Sequence, residues 1–169
     1  MEKFIIPFFG LKEGKHEFNF SIDRTFFEAF ENSLLDDAEI ELKLKLEKTS
    51  SMLILDFKAK GKTRLPCDRC GEDFDLTIKS KERIFVKFGD ESFDQTDDIL
   101  VVSQDTHEID IAHPVYEMLV LSLPNKRIHK KTVECNQEVI QRLVEFKSVE
   151  NEIEEDNIDP RWDALKKLK

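Results

Sequence analysis

Two runs of strict alternation constrain this chain more than any other feature. Ile40, Leu42, Leu44 and Leu46 alternate with Glu41, Lys43, Lys45 and Glu47. After Thr49-Ser50-Ser51, Leu53, Leu55, Phe57 and Ala59 alternate with Ile54, Asp56, Lys58 and Lys60. A period of two sends apolar residues to one face of a strand and charges to the other, so the pair reads as an antiparallel hairpin. Phe18, Phe20 and Ile22 repeat the pattern, Phe4 to Phe9 reads as a short buried strand, and Ile99 to Val102 as another. Phe74, Leu76 and Ile78 form a further run, with Ile84, Val86 and Phe88 read as a separate run in shifted register, giving a meander of four or more strands.

Helical spacing is rarer. Asp23 is a candidate N-cap for a helix carrying Phe26, Phe27, Phe30 and Leu34. Asp110 precedes a longer one, with Pro114 in its first turn, Ile111, Val115, Met118, Leu119 and Leu123 on one side, and Pro124 as its stop. A third is expected over Glu138 to Phe146. Ser148 to Asp159 holds six acidic residues and little apolar surface, and reads as a disordered linker. The fold class expected is α+β: an antiparallel sheet or partial barrel, two or three helices at its ends, and a flexible acidic C-terminal tail. With 169 residues, one domain over 1–147 and a tail over 148–169 are expected. In that tail Arg161, Trp162, Leu165 and Leu168 are either a docking segment for a partner or a segment packed on its own sheet.

Charge is placed in blocks. The formal net charge is −10, yet Lys58 to Lys87 carries nine basic and five acidic residues, and Met118 to Lys131 adds Lys126, Arg127, Lys130 and Lys131 with no acid. Between them, Phe88 to Glu117 has nine acids and no Lys or Arg. Such a balance argues against a surface coated in nucleic acid but leaves room for a local basic patch. No apolar run approaches the roughly 20 residues of a spanning helix, and Pro7 and Gly10 interrupt the start too early for a signal peptide, so a cytoplasmic protein without membrane contact is expected.

Leu65-Pro66-Cys67-Asp68-Arg69-Cys70-Gly71 is the most specific local motif. Two thiolates separated by two residues at a tight turn supply half of a tetrahedral metal site. Cys135 is the remaining thiol, and His129 lies six residues before it. Cys67, Cys70, His129 and Cys135 thus have the composition of a closed structural zinc centre; otherwise they are free thiols at a hairpin beside a basic-loop histidine. His16, His107 and His113 are better explained as strand or helix-edge residues. Strand-like flanks speak against a redox CxxC, which needs a following helix. Nucleotide-binding, hydrolase and metalloprotease motifs are missing, and the paired acids sit in acidic stretches, so no enzyme is expected.

The Cys67-Asp68-Arg69-Cys70 motif followed by a strand, the helix and stop Tyr116 to Pro124, the later His129 and Cys135, and the ending Asp159-Pro160-Arg161-Trp162-Asp163-Ala164-Leu165 together resemble the YceD family, the large ribosomal RNA subunit accumulation proteins, over nearly the whole chain. Many members carry a second CxxC-like pair after the long helix, where this sequence has Cys135 alone. The resemblance implies a bacterial or organellar factor in accumulation of large-subunit rRNA, linked to ribosome assembly, with no established enzymatic activity. Joined to the basic blocks, it leads to a specific expectation. Lys58, Lys60, Lys62, Arg64, Arg69, Lys79, Lys81 and Arg83, with Lys126, Arg127, Lys130 and Lys131, contact rRNA or pre-ribosomal particles through phosphates. The competitors are an adaptor that binds a ribosomal protein or nuclease without touching RNA, and a thiol or metal-dependent enzyme.

Overall fold

The computed structural model describes residues 4–89 and 98–153, with side chains through residue 146. They fall into two compact units, one from residues 4–66, 73–89 and 98–127, the other from 67–72 and 128–153.

The first unit is built on an open five-stranded sheet in the order β2-β3-β4-β5-β6, comprising β2 (Gly14–Ile22), β3 (Asp37–Lys48), β4 (Met52–Pro66), β5 (Asp73–Phe88) and β6 (Ile99–Val102). β2 to β5 are antiparallel neighbours, whereas β6 runs parallel to β5. The expected hairpin is present: Leu44 faces Phe57 and Leu46 faces Leu55 across β3 and β4. Ile40, Leu42, Leu44, Leu46, Leu53, Leu55, Phe57 and Ala59 are all buried. Burial stabilises by about 1.5–3 kcal/mol for each large apolar side chain, which locks the register because a one-residue slip would expose all of them.

Covering this inner face are α1 (Arg24–Phe27), α2 (Ala112–Leu121) and a two-stranded ribbon of β1 (Ile5–Pro7) with β7 (Glu108–Asp110). Most of the aromatic residues fill the core: Phe4 stacks on Phe20, Phe26 meets Phe4 and Phe27, and Phe30 stacks on Tyr116 at 4.1 Å. Asp23 caps α1, its carboxylate accepting the Thr25 N–H at 3.0 Å. That helix stops at Phe27, and Asn32, in a left-handed turn (φ 56°), bars any helix from running on to Leu34. Leu34 is consequently exposed and Leu35 buried in its stead. Asp110 closes β7 and its carboxylate accepts the Ala112 N–H at 2.8 Å; Ile111, Val115, Met118 and Leu119 are buried as the spacing predicts.

β5 corrects the expectation of two runs in different registers. Phe74, Leu76, Ile78, Ile84, Val86 and Phe88 lie on one face of a single 16-residue strand. Ser80 and Glu82, half-buried, occupy the two intervening positions on that face.

In the second unit, residues 67–72 form a turn, Thr132–Glu134 a 3-10 turn, and α3 spans Gln137–Ile153. α3 is longer than the expected Glu138–Phe146 and enters the stretch read as linker at Ser148. Asn136 begins it, its side-chain oxygen accepting from the N–H groups of Glu138 and Val139 at 3.0 and 3.3 Å. Arg161, Trp162, Leu165 and Leu168 lie outside the described residues.

Candidate metal centre and basic sheet face

The turn at residues 67–72 is shaped by its backbone. The Gly71 N–H donates to the Cys67 carbonyl at 2.8 Å and the Cys67 N–H to the Glu72 carbonyl at 2.9 Å. Gly71 has φ +78°, a conformation that a Cβ would strain. This knuckle directs both thiols of the CxxC inward, where they meet His129 and Cys135.

The ligand atoms of Cys67, Cys70, His129 and Cys135 all lie within 4.8 Å of one another. The three cysteines are buried and make no disulfide. His129, half-buried over the whole residue, turns its Nδ1 into the group, 3.7 Å from Cys70 Sγ and 3.6 Å from Cys135 Sγ. With Zn–S of about 2.3 Å and Zn–N of about 2.0–2.1 Å, a tetrahedral site places sulfur and nitrogen ligands about 3.6 Å apart. The spacing and the donor chemistry therefore fit zinc. None of the other three histidines joins the group. His16 bonds the Lys12 carbonyl, His107 stacks on Phe9, and His113 lies 3.4 Å from Glu117.

The thiols are electrostatically unlike. Burial pushes the Cys67 thiol up, but the backbone N–H groups of Arg69, His129 and Cys70, with the His129 ring, outweigh it and bring the pKa down to about 6. Burial and the neighbouring Cys70 hold the Cys135 thiol above its ordinary value, with Arg69 acting the other way. Arg69 donates to Thr132 Oγ1 at 3.1 Å and approaches Cys135 Sγ at 3.8 Å. Beside it the Asn136 amide donates to Glu72 Oε1 at 2.8 Å.

Among the described residues of this unit, the only buried apolar side chains are the three cysteines themselves. Val133, Leu143, Val144 and Phe146 are exposed. With so little apolar burial among the described residues, a cross-link through the donor group would add the stability that such a small unit gains from a metal.

In the first unit the outward positions of β4 and β5 carry Lys58, Lys60, Lys62, Arg64, Lys79, Lys81 and Arg83, all exposed. Register puts Lys58 opposite Lys81 and Lys60 opposite Lys79. On the other side of β4, Lys58 faces Lys43, a residue the sequence reading did not include although the hairpin register contains it. Arg83 is committed to Asp56 through two bonds of 2.6 and 3.0 Å, which hold the Asp56 carboxyl below its ordinary range. Lys126 and Arg127 follow α2 in this unit, while Arg69, Lys130 and Lys131 belong to the second.

A family model described as large ribosomal RNA subunit accumulation protein YceD matches residues 55–169. This covers all four donor residues but is narrower than the likeness over nearly the whole chain that the motifs imply, since residues 1–54 lie outside it. Comparison with curated proteins and with solved structures gives no match. No helix among the described residues is long and apolar enough to cross a membrane.

Proposed function

Because the chain belongs to the YceD family of large ribosomal RNA subunit accumulation proteins, we propose that it is a cytoplasmic, non-enzymatic factor that supports large-subunit assembly by binding rRNA or pre-ribosomal particles. The observation that carries this reading is the basic outer face of the first unit, on which lysines of β3, β4 and β5 stand side by side in an otherwise acidic protein. Phosphates would draw that face to RNA by releasing counterions. Lys126, Arg127, Lys130 and Lys131 extend the basic set in this proposal.

Cys67, Cys70, His129 and Cys135 would hold a zinc ion whose part is structural, four coordinate bonds adding to the slight apolar burial among the described residues of the second unit. Arg161, Trp162, Leu165 and Leu168 are assigned to partner docking.

Sucrose-gradient sedimentation of the tagged protein from its native host tests the proposal. Comigration with large-subunit precursors that is lost on nuclease treatment is the expected result. Protein that remains at the top of the gradient overturns ribosome binding, and comigration that survives complete digestion of RNA puts the adaptor, working through ribosomal proteins, in its place. Metal analysis of the purified protein should give about one zinc per chain.

A further inference from the structure

Resting on the RNA reading above, we infer that the outer sheet face of the first unit grips the phosphate backbone of double-helical RNA and does not read the bases of an unpaired strand. Lys43, Lys58 and Lys81 stand directly opposite one another on three adjacent strands, and Lys60 and Lys79 form the next row along the same face. With neighbouring strands about 4.8 Å apart and alternate residues about 6.8 Å apart, the five ammonium groups spring from a grid about 10 Å by 7 Å. They line a depression of about 640 Å³ shared with Glu41, Ala59 and Ser80.

Like charges placed opposite each other across a sheet are unfavourable, so the arrangement is not explained by the stability of the strands. Elsewhere on the face, charge is neutralised locally: Lys45 pairs with Glu17 at 2.8 Å and Arg83 with Asp56. Among the described residues none of the five grid lysines makes such an ion pair; Glu41 stands opposite Lys60 in the second row, so five ammonium groups against one carboxylate leave a net positive field.

The composition of the face separates duplex from single strand. Binders of unpaired RNA add aromatic stacking to their positive groove. Of the three phenylalanines on β5 next to the basic residues, Phe74 and Phe88 lie on the inward side and only Phe85 points outward, itself half-buried. Among the described residues this face carries no aromatic platform on which successive bases could stack. A fixed grid on long paired strands instead matches a partner whose phosphates are themselves held at fixed spacing, and double-helical RNA offers that.

The test is binding of the purified, zinc-loaded full chain to a 16-base-pair RNA duplex, to one of its strands alone, and to a poly-glutamate peptide, each over a salt series. The duplex should bind at least about 10-fold more tightly than the single strand. Replacing Lys58, Lys60, Lys79 and Lys81 together by Gln should lower the salt slope by up to about 3.6, taking roughly 0.9 per duplex phosphate contact. The same four positions changed to Arg should retain binding, which separates lost charge from lost folding. Equal or tighter binding of the single strand, an unchanged slope in the Gln variant, or preference for poly-glutamate overturns the inference. These outcomes leave nuclease-sensitive comigration untouched, so failure of the duplex reading is distinguishable from failure of the RNA role itself.

Discussion

At Arg69 a guanidinium lies 3.8 Å from Cys135 Sγ while bonded to Thr132 Oγ1. Three thiolates around a divalent cation would leave one negative charge, and Arg69 is placed to offset it. Outer partners of metal ligands typically matter by 10- to 100-fold in affinity. Arg69→Ala should therefore weaken zinc binding by about 10-fold or more in competition with a chromogenic chelator, and Arg69→Lys should lie between. Gly61 makes a separate demand: a Cβ there would run into the Glu39 carbonyl oxygen and come within 2.6 Å of Ile40 Cα, both backbone of the paired strand. Gly61→Ala should cost about 2 kcal/mol or more, read as a lowered midpoint in urea. The donor set was legible in the sequence because Cys67, Cys70 and Cys135 are the only thiols and His129 stands beside the last. Arg69 was legible only as a charge, since nothing in its neighbours announces that it turns toward Cys135.

Among the elements, β5 repays the closest reading. Its inward face is apolar except at Ser80 and Glu82, and these two residues made one strand look like two. Glu82 is half-buried opposite Phe57 with its Oε2 unbonded, and burial, reinforced by Asp98 and Glu117, raises its pKa. An acid raised in the folded state favours folding where it is protonated, and that benefit is lost as pH rises through its folded pKa. Glu82→Gln should therefore raise the thermal midpoint at pH 7 and shrink that gain at pH 4, measured by circular dichroism. The long alternating strands were legible because burial repeats over many residues. β7 was not, since three residues with one buried side chain carry no period, and α1 was overextended because phenylalanine spacing does not reveal the turn at Asn32.

For the molecule as a whole, the two units rest on different physics. The first buries aliphatic and aromatic side chains along strands and helices, and the second, among its described residues, buries little beyond its donor thiols. Stripping metal with a chelator should collapse the amide NMR signals of residues 128–146 while those of β3 and β4 persist, and restoring zinc should return them. Cooperative loss of both sets would sink this division. The α+β class was legible in the alternation, whereas the open edge of the sheet was not, because closure depends on twist and on which strands meet, neither of which has a residue signature. The donor residues also fall far apart in the order of synthesis: Cys67 and Cys70 leave the ribosome well before His129 and Cys135, with β5, β6, β7 and α2 translated between them. A nascent chain halted anywhere before Cys135 can offer only a partial ligand set, so a fully coordinated ion, if this group takes one, would be a chemical stamp that synthesis has run past the last cysteine.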